Sequence, residues 1–404
     1  MSEIPFEPIV RQRQEIVNKV ISDIESQGLG WIQPWQNVEI PPHNPSSGTI
    51  YSGINRFHLS VMQRIRKYED PRWFTFNQAK KAGYKLKKGS KACIVEKWKS
   101  FKIQDKDSDN DRETELEEES SYRIVYKPVG YFNVFNASCF EGVPPLDTFS
   151  REQNRNSDVE LGKLADDIIA SSACPIHEMA SDSASFSLLK NEITVPFREQ
   201  FESNSSFLGT LLHEMAHSTG PDLGRTFGSF GNKNYAKEEL VAELSAVFSS
   251  NDLGFLFDQQ GYSAHLEEHE AYLDSWVTIL EKTPDFLFQC VSMAERASDL
   301  IIERYEQYVG HKAPSHLLEE ELKAKLQSAI DKAPEVAQTE QKAQEVPVET
   351  QEQTQPEQVQ AQPKPAKKER LAPGALAQHA TEKAQQVQAE HVAPEQTKKQ
   401  NLSR

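Results

Sequence analysis

The sequence predicts an α+β chain in three parts: a basic α+β segment over residues 1–145, a mainly helical segment over 161–312 and a disordered tail over 331–404. Three observations carry that division. Positive charge is gathered between Arg56 and Lys102, where 14 Lys and Arg face three acids for a net +11, although the whole chain carries −16. Apolar residues recur at helical spacing through much of 161–312, around one strand-rich stretch. Beyond about residue 330 the chain turns to Gln, Pro, Lys, Glu and Ala with hardly any aromatic residue, too little apolar surface to offset the entropy of ordering.

Within the first part, Ala92–Ile103 and Tyr122–Phe135 have strand character, and the rest is expected as turns and strand-like runs. The acidic stretch QDKDSDNDRETELEEESS, net −7 between Asp105 and Glu119, is a solvated insertion that joins these strands as a hairpin and is expected to shield the basic face when nucleic acid is absent. Residues 146–160 (LDTFSREQNRNSDVE) form a polar linker. Ser185–Leu189 and Glu192–Val195 alternate around Lys190-Asn191, a second hairpin whose edge could hold an extended peptide. A helix follows, with N-cap candidates Ser203 to Ser206, a stripe of Phe207, Leu208, Leu211, Leu212, Met215 and Ala216, and Gly220-Pro221 as its stop. The next helix, Lys237 to Phe248, buries Leu240, Val241, Leu244, Val247 and Phe248, and Leu317–Ile330 is expected as an exposed helix.

Several function classes are excluded. No apolar run approaches the ~20 residues of a membrane span. Met1 to Val10 holds Glu3 and Glu7 and lacks a basic stretch before an apolar core, so no secretory signal is expected. Cys93, Cys139, Cys174 and Cys290 are far apart and form no CxxC pair, which leaves reduced, buried thiols in a cytoplasmic protein.

The chemistry lies in His213-Glu214-Met215-Ala216-His217. Residues i and i+4 of a helix project from one face, so His213 and His217 can bind one zinc ion, with Glu214 beside it as general base. The third ligand is expected from the following helix: Glu239, 22 residues after His217, with Glu243 accepting the second N–H of a ligand histidine, or the reverse assignment. A metzincin ligand would stand six residues after the second histidine, where Leu223 is found, with Asp222 one position early. Zinc is favoured by ligand type, although two histidines and a carboxylate accept several divalent ions.

The aromatics Trp31, Trp35, Tyr51, Phe57, Trp73, Phe74, Phe76, Tyr84 and Trp98 lie in or just ahead of the basic run. Lys and Arg neutralise phosphates and aromatic faces stack on unpaired bases, a combination that suits single-stranded nucleic acid better than a duplex groove. Tyr51, Asn55, Arg56, Trp73, Lys80, Lys81, Lys87 and Lys88 are the candidate contacts. The alternative for any one aromatic is a place in the core.

WIQPW, NPSSGTIYSGIN, WFTFNQAKKAGYKLKKGSKA and YFNVFNAS resemble the N-terminal domain of the ArdC-type antirestriction proteins, and also segments of TraC-type conjugative-plasmid primases. TLLHEMAHSTG, NYAKEELVAELSAVF and AYLDSWVTIL resemble the zincin-like domain that follows in ArdC relatives, so the resemblance runs over about residues 28–305. It implies single-stranded DNA binding by the first domain, a metallopeptidase-like second domain and carriage on a mobile element such as a plasmid. His213, Glu214 and His217 match the family motif, and Glu239 falls within its EELVAEL segment. HSTG stands where relatives often have an aromatic after the second histidine, and the acidic insertion and the tail are extra.

The expected function is antirestriction by a protein that binds single-stranded DNA and acts on a nearby host restriction or DNA-bound protein through a zinc-activated water. The oxyanion donor is unassigned, Tyr235 being one candidate. Other readings remain open: a DNA-dependent metalloprotease, a non-catalytic DNA-binding protein with a structural metal, and a delivered peptidase effector.

Overall fold

The computed structural model describes residues 6–28, 31, 41–104, 122–146, 157–228, 233–256 and 270–331. The acidic insertion, most of the 146–160 linker, Trp35 and the tail beyond Asp331 lie outside the described residues.

Chain contacts group Met1–Thr339 into one compact unit. It opens with a helix that the turn-and-strand expectation for the first segment overlooked: α1 (Glu7–Gln27), started by Pro8 in its first turn and burying Ile9, Ile16, Val17, Val20 and Ile24 along one face. The pair β1 (His43–Asn44) and β2 (Thr49–Ile50) precedes α2 (Gly53–Ile65). Then come β3 (Trp73–Thr75), α3 (Phe76–Lys81) and β4 (Lys85–Leu86). The hairpin of β5 (Cys93–Gln104) and β6 (Tyr122–Asn136) forms as the alternation suggests, and β7 (Phe140–Glu141) pairs back on β4. The main sheet has the order β3-β6-β5, wholly antiparallel, which leaves β5 on an edge.

That edge is closed by side chains. The Gln12 amide donates to the Ile94 carbonyl at 2.8 Å and accepts from the Ile94 N–H at 2.7 Å, and Asn55 does the same for Glu96 at 2.8 and 2.7 Å. Two amides on two helices thus imitate a neighbouring strand and satisfy backbone groups that would otherwise invite another chain. The Glu96 carboxylate is buried and held by a two-point pair to Arg13 at 2.7 and 2.8 Å.

The second segment begins with α4 (Asp158–Ala170), capped by Ser157 in a reciprocal box with Glu160. A small sheet follows, with β10 (Glu192–Pro196) between β8 (Ile176–Met179), parallel to it, and β9 (Ser185–Ser187), antiparallel. The β9–β10 turn sits at Asn191 with φ +52°, a left-handed conformation that asparagine tolerates. The helices α5 (Asn204–Ser218), α6 (Lys233–Asp252), α7 (Glu270–Lys282), α8 (Asp285–Val309) and α9 (Pro314–Asp331) complete the unit.

One continuous hydrophobic cluster runs from Ile16 through Phe57 and Trp73 to Leu211, Val247, Trp276 and Ile302. Where α2 meets α6, Arg56 is buried, donating to the Asp252 carboxylate at 2.9 Å and the Phe248 carbonyl at 3.1 Å.

Candidate metal centre

The Ser203 hydroxyl caps α5 by accepting from the Ser206 N–H, as the run of serines suggests. The helix is buried on nearly every face, because Phe207, Leu208, Leu211, Leu212, Met215 and Ala216 pack inward on different sides. His213, Glu214 and His217 are therefore interior groups. The helix ends at Ser218 with Thr219 as its cap, just ahead of the expected Gly220-Pro221 stop; Gly220 has no positive φ, and a Cβ there would stand 2.5 Å from the Phe227 ring. Its place is set by close packing.

α6 presents Glu238, Glu239 and Glu243 to the same interior, all buried. The His213 and His217 Nε2 atoms face each other at 3.1 Å, and Glu239 Oε2 lies 3.5 Å from the first and 3.8 Å from the second. Tetrahedral bonds of ~2.0–2.1 Å would place ligand atoms about 3.3 Å apart, and these separations bracket that value. The residues present thus fit a single ion, and among the described residues His213, His217 and Glu239 form the group able to hold one.

Behind them lies a layer that orients the imidazoles. Glu243 Oε1 faces His213 Nδ1 at 3.8 Å, beyond direct hydrogen-bond distance. Glu238 Oε1 stands 3.3 Å from His217 Nδ1, in the role for which the sequence reading offered Glu243. Arg225 pairs with Glu238 at 2.8 and 3.1 Å and also donates to the Ala216 carbonyl and the Thr219 hydroxyl, so it ties the end of α5 to α6. A buried charge with no motif around it is difficult to recognise in sequence. The one available signal was the run Glu238-Glu239, since two adjacent acids on a largely buried helix both require partners.

Burial alone would lower the His217 pKa, but the charge of Glu239, hydrogen bonds to Glu238 and Glu239 and the charge of Glu214 hold it well above 6.5. Burial alone would raise Glu239, and the two imidazoles instead hold it far below the usual carboxylate range. Burial would likewise raise Glu238, yet bonding to His217 and Arg225 keeps it depressed. A pocket with this balance favours a bound cation.

The expected nucleic-acid contacts divide into two groups. Tyr51, Arg56 and Trp73 are corrected: all three are buried, Tyr51 and Trp73 in the core and Arg56 in the α2–α6 joint. Asn55 is engaged with both backbone groups of Glu96. Lys80 and Lys81 on α3 and Lys87 and Lys88 beyond β4 are exposed, Lys87 reaching the Ser138 carbonyl at 2.9 Å. Trp31, Phe57 and Phe74 are also buried, whereas Phe76 and Trp98 are exposed.

Two imidazoles on one buried helix, a carboxylate between them in sequence and a second carboxylate brought within reach of both by the next helix fit a zincin-like metallopeptidase domain. Residues 163–293 match the family model of a zincin-like metallopeptidase, and residues 10–135 match that of the N-terminal domain of the anti-restriction factor ArdC. Together the two matches, in this order, and the likeness of fold support an ArdC-like antirestriction protein. It is similar to crystal structures of the antirestriction ArdC protein from the R388 plasmid, metal-free and Mn(II)-bound, each with a TM-score of 0.53 and 26% identity over 73% of this chain and 98% of that one. It is 32% identical over 310 residues, 74% of its length, to a DNA primase TraC of Escherichia coli, and 28% identical over 320 residues, 76% of its length, to another. It spans only 20% and 28% of those primases. An uncharacterised protein of Sinorhizobium fredii is 25% identical over 71% of this chain and 90% of its own length.

Proposed function

We propose that this chain is an antirestriction protein of a mobile element that binds single-stranded DNA through its basic segment and carries a zinc-dependent peptidase centre. The observation that carries the reading is the convergence of His213 Nε2, His217 Nε2 and Glu239 Oε2 within one chain whose first segment matches the ArdC N-terminal domain. The exposed Lys80, Lys81, Lys87 and Lys88 support contact with phosphates.

Zinc, when bound, supplies Lewis acidity at a carbonyl oxygen and a water of lowered pKa. His213 and His217 offer their Nε2 lone pairs, and Glu239 offers one carboxylate oxygen. Glu238 accepts the His217 Nδ1 proton, which fixes the tautomer with Nε2 free to ligate. Glu214, buried on the same helix, holds the proton drawn from an attacking water and passes it to the leaving amine. The burial of the pocket excludes bulk water from that transfer. The protein acted upon is a host restriction or DNA-bound protein.

The test is transfer of unmodified DNA into a restricting cytoplasm that holds either the wild-type chain or Glu214→Gln. Protection by the wild type is expected, and no protection overturns the antirestriction reading. Equal protection by Glu214→Gln assigns it to DNA binding, whereas its loss places hydrolysis in the mechanism.

A further inference from the structure

In the first segment, most of the aromatics that a sequence reading offers to unpaired bases are core, while Phe76 and Trp98 are exposed. The β5–β6 ribbon offers a surface for stacking. From Lys97 to Lys102 every residue of β5 is exposed, and on β6 so are Tyr126, Lys127, Val129 and the run Tyr131–Asn133. Trp98 is 37% exposed, Tyr126 66% and Phe132 51%, and Phe101 joins them. Large apolar side chains gathered on one projecting element mark a contact surface.

The register arranges them. Trp98 pairs with Pro128 and Ser100 with Tyr126, so Trp98 and Tyr126 are diagonal neighbours on one face. Lys99 pairs with Lys127 and Phe101 with Val125 on the other. A register shift between Lys97 and Trp98 marks where the ribbon leaves the body, and the Gln12 and Asn55 clamps hold its root just before that point.

We infer that the outer part of this ribbon is the surface on which the chain grips single-stranded DNA, with Trp98 and Tyr126 stacking on bases from one face and Phe101 from the other, and with Lys99, Lys102 and Lys127 meeting phosphates along its edges. The inference rests on the single-stranded DNA reading and locates its surface. Charge on the strands argues for this occupant: among the described residues of the ribbon the one acid is Glu96, which is buried and neutralised by Arg13, while the lysines are exposed; the acids of the joining insertion lie outside the described residues. A purely apolar partner has no use for those lysines, whereas a strand of phosphates and bases uses both sets.

The test uses the full chain and labelled oligo(dT), with binding followed by anisotropy and by tryptophan quenching. Trp31, Trp73 and Trp276 are fully buried, so among the described tryptophans Trp98 is the accessible reporter. Trp98→Phe should keep affinity within about threefold while losing most of the quench, because a smaller ring still stacks. Replacing Trp98, Phe101 and Tyr126 by Ala together should weaken binding by about 100-fold or more, as removal of several stacked rings predicts. The Lys99→Ala, Lys127→Ala pair should weaken it and flatten its salt dependence. Wild-type affinity in the triple-Ala variant, with Lys80→Ala and Lys81→Ala damaging, overturns the ribbon and leaves the DNA reading standing. Failure of the wild type to bind oligo(dT) overturns both. Self-association of the wild type that the triple-Ala variant abolishes, with DNA binding untouched, overturns the ribbon as a DNA surface and makes it an interface between copies.

Discussion

Glu238 shows how much of the candidate centre depends on a group outside the three candidate ligands. It holds one imidazole and is held by Arg225, so the His217 ring orientation is only as good as that clamp. Glu238→Gln should lower zinc affinity about 10–100-fold in a chelator competition, and unchanged affinity would remove Glu238 from the design. Gly220 bears on the same ring through Phe227. Gly220→Ala must displace Phe227, which packs beside His217, and should cost about 1–3 kcal/mol in denaturant unfolding. Phe227→Ala in that background should recover part of the loss, since it removes the clash. A third residue, Glu295, is pushed up to about 7 by burial and the nearby carboxylates Asp252 and Asp299, against the opposing charge of Arg56. Its proton is bound more tightly in the folded chain, so stability is greatest below the unfolded value near 4.5 and falls as pH rises to about 7. The contribution is at most about 3 kcal/mol. Glu295→Gln should flatten the melting profile across that window, and an unchanged slope would contradict the assignment.

At the scale of elements, β5 is stable as an edge because Gln12 and Asn55 stand in for a strand. Gln12→Ala or Asn55→Ala leaves a buried N–H and C=O without partners and should cost about 1–3 kcal/mol each. Amide exchange at Ile94 and Glu96 should rise before that of the β3–β6 pairing; uniform loss of protection would show the clamps to be incidental. The two hairpins and the α5 helix were legible because alternation, turn residues and caps are local signals: Asn191, Ser203 and the Phe207–Ala216 stripe each announce their structure within a few positions. The α1 helix carries an equally local signal, apolar residues at Ile9, Ile16, Val17, Val20 and Ile24, next to a basic, turn-rich stretch of opposite character. The burial of Tyr51, Arg56 and Trp73 was not legible. What covers Arg56 is Phe248 and Asp252, nearly two hundred residues away in sequence, and no window in the first segment contains them.

Across the whole molecule, the two segments that differ in charge share one hydrophobic cluster, with α1 and α2 resting on helices that follow the metal site. The isolated fragment 1–145 would expose Phe57, which meets Phe288 edge-on, together with Trp31, which meets Trp276. It should be poorly folded, with weak amide protection and binding of hydrophobic dyes, whereas 1–331 should melt in one cooperative transition. Two independent transitions in 1–331 would refute the shared core. The same joint constrains inheritance. A recombination breakpoint between the codons for the two segments would leave each gene product with an unfilled core and an unmatched Arg56 or Asp252, so viable exchanges must move both segments together. The stretch shared with a TraC primase, 310 residues embedded in a much longer protein, has the length of such an indivisible cassette.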